Sequence, residues 1–174
     1  MRRGVSLGLK RNISAVNSSQ SVGISEIEFY WAKAWQVNAM TDTNEGTIGG
    51  LKATVSAFST LTSSTGSIQK AFDNIKNLAG PPITNPTNFW DSEPDFSASK
   101  GHNWIEVDLG EEAVIDVTAY RITGKNVLAP SPKDFYLEGS NDATKWKSVL
   151  PVMKGQTTKG VTVCVFAAGA KCPT

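Results

Sequence analysis

Along most of this chain apolar positions either alternate with polar ones or gather in short runs between turn residues. In HNWIEVDLG (102–110), Ile105, Val107 and Leu109 alternate with Glu106 and Asp108, and Gly110 closes the run. A period of two predicts a strand with one apolar face. The same signal predicts strands at Val5–Leu9, Ile24–Tyr30, Leu51–Ser56, Trp104–Leu109, Ala113–Thr123, Asp134–Ser140, Lys147–Val152 and Gly160–Phe166. The separators DTNEGTIGG, GPPITNPTN, GKNVLAPSP and GSNDAT are rich in turn residues. Helical periodicity is scarce. The best case is GSIQKAFDNIKNLAG (66–80), where Ile68, Ala71, Phe72, Ile75 and Leu78 recur at three- and four-residue spacing. It predicts a short helix or a loop with helical turns, with Ser67 as candidate cap and Gly80, Pro81 and Pro82 as the stop. Many strands and at most one or two short helices predict an all-β fold, an antiparallel sandwich or barrel.

Composition narrows this little. The 174 residues are 40% apolar and 19% charged, enough for one domain with a sizeable core. Lysine plus arginine number 17 against 16 acidic residues, and a net charge of +1 gives no footprint for nucleic acid. No apolar run approaches the roughly 18 residues of a membrane helix, so no membrane insertion is expected. The start MRRGVSLGLKRN has basic residues without an apolar stretch, so no signal peptide is expected, and the first Met suggests a complete product made in the cytosol. Cys164 and Cys172 are too few for a disulfide framework. Free thiols and one disulfide closing a small loop both remain open.

The chain offers little for catalysis. His102 is its single histidine. The sequence contains no HExxH, GxSxG, P-loop or paired CxxC, and GTIGG at 46–50 lacks the lysine and helix of a phosphate loop. Glu106 and Asp108 share one strand face, as a carboxylate pair would need. Catalytic pairs usually face each other from separate elements, so a solvated outer face, or a carboxylate satisfying loop amides, is the better reading. No enzyme is expected.

Five runs in order carry a resemblance: AFDNI (71–75), NFWDSEP (88–94), HNWIEVDLG (102–110), VIDVTAYRIT (114–123) and PKDFYLEGSNDATKW (132–146). They resemble the discoidin family, the coagulation factor V/VIII C-type domain, whose sugar-binding members are family 32 carbohydrate-binding modules. The resemblance covers about residues 51–152. It implies a β-sandwich jelly roll like the galactose-binding domains, and a binding module rather than an enzyme. Trp90, Trp104 and Trp146 match framework positions, and Asp108 and Gly110 would shape a strand end.

The chain departs from the family pattern in four places. One Asp-Gly has become Asp73-Asn74, and asparagine tolerates the left-handed conformation. A later Asp-Gly has become Asp142-Ala143, where alanine tolerates positive φ poorly, so a different turn is expected. The Asp73 to Trp90 stretch looks long and carries Pro81, Pro82 and Pro86. Finally, a strand like the family's last one, ISEIEFY (24–30), comes before the core. That order resembles some phage-type discoidin-like proteins. The chain is therefore expected to be a single domain over 1–174, with 1–50 contributing strands and 160–174 a C-terminal strand and tail.

The resemblance also implies sites. Many members hold a structural calcium ion, and the matching positions here are Asp73, Asn88 and, in the permuted order, Glu26. Sugar-binding members use loops at one end of the sandwich, with aromatic and polar side chains. The candidates by type are His102, Asn103, Phe89, Lys125, Trp31 and Trp35. Phe29, Tyr30, Trp31 and Trp35 form a dense aromatic patch, either a buried strand edge or a partner-packing surface. The expected function is a non-catalytic binding module on a particle or cell surface, a phage virion component with a glycan-binding fold. A stand-alone calcium-dependent lectin is the alternative. Expected partners are a surface glycan, other virion proteins or copies of the chain, at a virion surface or outside cells.

Overall fold

A computed structural model describes residues 6–10, 22–41, 43–58, 60, 67–75, 89–92, 104–110, 113–124, 135, 137–150 and 162–166. Among them are twelve strands: β1 (Ser6–Lys10), β2 (Gly23–Trp31), β3 (Ala34–Trp35), β4 (Asn38–Met40), β5 (Glu45–Ile48), β6 (Leu51–Ala57), β7 (Trp90–Asp91), β8 (Trp104–Asp108), β9 (Ala119–Gly124), β10 (Leu137–Ser140), β11 (Lys147–Ser148) and β12 (Thr162–Phe166). They form two antiparallel sheets. One runs β11-β10-β1-β8-β6-β5-β4, and the other runs β12-β9-β2-β3 with β7 also on β2.

The seven-stranded sheet is one-sided because its sequences alternate. In β6, Ala53 and Val55 are buried while Lys52, Thr54 and Ser56 are exposed. In β8, Ile105 and Val107 are buried and Asp108 is exposed. The five-stranded sheet has β2 at its heart. A bulge between Ile24 and Glu26 resets the alternation, and Ile27 and Phe29 then oppose Ile122 and Tyr120 of β9. These side chains join Ile48, Val55, Ile105, Val107 and Leu137 of the other sheet in one hydrophobic core. The result is the expected all-β sandwich. Burying each such side chain contributes roughly 1.5–3 kcal/mol.

All eight expected strand regions contain a strand. Of Ala113–Thr123 only the part from Ala119 is paired, and Thr118 holds on to Tyr30 by a single backbone hydrogen bond of 3.0 Å. The structure adds β3, β4, β5 and β7. The β2–β3 hairpin turns through Ala32 (φ 49°) and Lys33 (φ 62°), both left-handed, where Asn-Gly is the easy pair. Ala-Lys carries no turn signal, so that hairpin was invisible to patterning.

The expected helix shrinks to one 3-10 turn at Ile68–Ala71. Ser67 makes no side-chain cap bond, and Phe72 leaves the helical region at φ −143°. The rest of that stretch, 76–80, lies outside the described residues. Asn74 takes φ 62°, as the resemblance implied. Ala143 overturns its expectation. It sits at φ 56°, so the turn keeps the conformation a glycine would take. Asp142 holds it there, accepting from the backbone N–H of Thr144 (2.9 Å) and Lys145 (2.8 Å). Cys164 is disulfide-bonded, and Cys172 is the chain's other cysteine. No described helix is long and apolar enough to cross a membrane.

Candidate functional site

Two of the expected metal positions meet. Glu26, on β2 just after the bulge, is fully buried. The amide of Asn38, on β4, donates to Glu26 Oε1 and to the Ile27 carbonyl (2.7 Å). The Asn74 backbone N–H also bonds the Glu26 carboxyl. Asp73 precedes it in a loop fixed by two contacts. Its Oδ1 accepts from Ile75 N (3.0 Å), and Met40 N donates to the Phe72 carbonyl (3.3 Å). Phe72 is buried below, stacked on Phe29 with centroids 6.5 Å apart.

Burial pushes the Glu26 carboxyl up to about 9, and the charges of Asp73 and Glu28 push the same way against the bonds from Asn38 and Asn74. Two buried oxygens, Glu26 Oε2 and Asn38 Oδ1, find no hydrogen-bond partner among the described residues. Hard oxygen donors short of partners, beside a second carboxylate, fit a calcium ion. The carboxylates alone do not make a full cage. No three His, Cys, Asp or Glu side chains cluster among the described residues. Asn88 lies outside them.

The ligand candidates scatter. Trp31 is 7% exposed and Phe89 6%, so both belong to the core. Trp31 stacks on Phe29 at 6.2 Å and shares its inward side of β2. The next residue over, Tyr30, faces outward with Trp35, their rings 5.3 Å apart and edge to face. Parity thus splits the aromatic patch in two. Trp35 is half-exposed and lies under Arg121, whose guanidinium carbon is 4.0 Å from the ring centre. Arg121 in turn grips Glu28 with two hydrogen bonds, one of 2.6 Å from Nε. His102, Asn103 and Lys125 lie outside the described residues.

An aromatic pair that patterning did not single out stands at the end of β6 and the start of β8. Phe58 is 53% exposed, and its ring centre is 6.5 Å from that of Trp104, which is half-exposed rather than core. Phe58 N donates to the Trp104 carbonyl at 3.0 Å, locking the two residues across the sheet. Trp104 directly follows His102 and Asn103 in sequence. Trp146 is also half-exposed, its indole N–H donating to the Ala143 carbonyl (3.2 Å), whereas Trp90 is buried and donates to Thr60 (3.2 Å).

Glu106 and Asp108 lie on the outer side of β8, opposite Ile105 and Val107. Asp108 Oδ1 accepts from Gly110 N at 2.9 Å, and Gly110 turns at φ 77°. Asp108 is therefore a strand-end residue.

Residues 52–167 match the family described as F5/8 type C domain. No curated protein and no solved structure matches the chain. Domains of this family are generally non-catalytic binding modules. The matched span begins after β5, yet β1 lies between β10 and β8, and β2 lies between β9 and β3. The N-terminal segment therefore supplies an interior strand to each sheet, and Glu26 with β2. With the match over more than half its length and strands arranged in a β-sandwich, the chain belongs to the F5/8 type C, or discoidin, family.

Proposed function

We propose that this chain is a non-catalytic glycan-recognition module that binds through the surface around Phe58 and Trp104. The observation that carries the reading is the exposed Phe58 ring set against half-exposed Trp104. Large aromatic faces left in water mark interaction sites more often than scattered aliphatic residues do. The apolar C–H face of a sugar ring suits such a platform, and His102 and Asn103, next in sequence, offer partners for hydroxyls.

Calcium belongs to the proposal as a structural ion held by Glu26 and Asp73. When bound, it supplies the positive charge that two neighbouring carboxylates lack. The Asp73–Ile75 and Asn74–Glu26 hydrogen bonds shape the loop that receives it. The setting we propose is a particle surface, with a phage virion as its finer form. The support is the order of the strands: ISEIEFY precedes the matched domain and forms β2.

A glycan array tests the ligand. Binding by the intact chain, lost in Phe58→Ala and Trp104→Ala at unchanged melting temperature, is the expected result. Binding only to phospholipid vesicles, or array binding indifferent to both substitutions, overturns the glycan reading. Probing purified particles with an antibody against the chain tests the setting.

A further inference from the structure

The amide of Asn38 has a fixed orientation. Its NH2 faces Glu26 Oε1 and the Ile27 carbonyl, and since a backbone carbonyl only accepts, the flipped amide would set oxygen against oxygen there. Oδ1 must therefore point away from both. There it is buried, in a residue 3% exposed, without a hydrogen-bond partner among the described residues. Glu26 Oε2, on the side chain that Asn38 touches, is in the same condition. Two adjoining side chains thus each leave a buried oxygen unsatisfied, which natural folds rarely tolerate. A single cation held between these side chains would satisfy both oxygens and balance the neighbouring Asp73.

We propose that Asn38 Oδ1 is a ligand of the cation held by Glu26 and Asp73, so that the ion clamps the N-terminal segment to the 72–75 loop. This rests on the cation reading of the Glu26–Asp73 corner and adds a residue that the family resemblance does not assign. Asn38 and Glu26 both precede the matched span, whereas Asp73 lies within it. The ion therefore bridges two stretches of chain already joined there by the Met40–Phe72 backbone bond. Calcium suits the place because it accepts neutral amide oxygens beside carboxylates in a flexible shell.

Terbium is the probe, since tryptophan sensitises its luminescence and it occupies calcium sites. The intact chain should show saturable terbium luminescence that calcium displaces, and calcium should raise its melting temperature relative to EDTA. Asn38→Ala should weaken the calcium Kd by about 10–100-fold. Asn38→Asp should melt lower in EDTA yet gain more from calcium. In the intact chain, hydrogen exchange in 36–40 and in 67–75 should slow together on calcium loading. Absence of any terbium or calcium response overturns the cation reading and this inference with it. If the intact chain binds and Glu26→Gln abolishes binding, while both Asn38 variants keep the intact Kd, only the Asn38 assignment falls. If the Asn38 variants fail to fold, unchanged exchange in 36–40 on loading overturns it instead.

Discussion

Two turns in this chain start alike and end differently. Each has an aspartate followed by a left-handed residue, Asn74 at φ 62° and Ala143 at φ 56°. In each the aspartate accepts a backbone N–H two residues on. The Asp142 turn is closed on itself at the surface. Thr144, Lys145 and Ser140 supply its hydrogen bonds, and these hold the Asp142 carboxyl well below the usual carboxylate range. The Asp73 turn is not self-contained. Phe72 anchors it in the core, β4 binds its backbone, and Glu26 faces it from β2. The same local chemistry yields a plain turn in one place and a candidate ion site in the other. What differs is the contact that β2 and β4 of the N-terminal segment make with the Asp73 turn.

Removing that segment should break the contrast outright. A chain starting at Leu51 lacks β1 and β2, interior strands of the two sheets, and should show no cooperative unfolding transition by calorimetry. The next largest effect separates the anchors. Phe72→Ala should lose about 3–5 kcal/mol in urea melts, whereas Trp146→Ala, beside the surface turn, should lose about 1 kcal/mol or less.

The pH dependence should differ in sign. With the carboxyl of Glu26 raised from 4.5 to about 9, the folded state without metal holds a proton that the unfolded state releases. In EDTA, the Glu26 contribution to stability should therefore be fullest below pH 4.5 and be lost as pH rises toward about 9, and Glu26→Gln should flatten that slope. Asp142 is depressed, so its contribution stands above the ordinary pKa of 3.8 and is lost as pH falls below it. The smallest effects concern the left-handed residues. Ala143→Gly should stabilise by about 1 kcal/mol, and Asn74→Gly by only a few tenths, because asparagine already tolerates that conformation.

Much of the site was legible, and some of it was overlooked. Period two already placed Trp104 on the face of Glu106 and Asp108, so its partial exposure follows from the alternation that defined β8. The same parity separates Trp31 from Tyr30. Family framework positions argued otherwise and were outweighed by register. Phe58 shares the parity of Lys52, Thr54 and Ser56, but one aromatic after a strand carries no signal until Trp104 is known to lie across from it. Asn38 had no signal at all. Its strand is three residues just ahead of the turn-rich DTNEGTIGG, and β4 exists because β5 pairs with it.

By itself, then, the sequence determined the strands with clean alternation, their single apolar face, and the left-handed residue of the Asp73 turn. These depend on local sterics and on which face of a strand is apolar. Only the tertiary structure decided that Asn38 meets Glu26 beside the Asp73 loop, that Phe58 meets Trp104, and that β1 and β2 complete a domain matched after them. Each is a contact between segments remote in sequence, fixed by sheet register and the shared core, and none is encoded in any window of neighbouring residues.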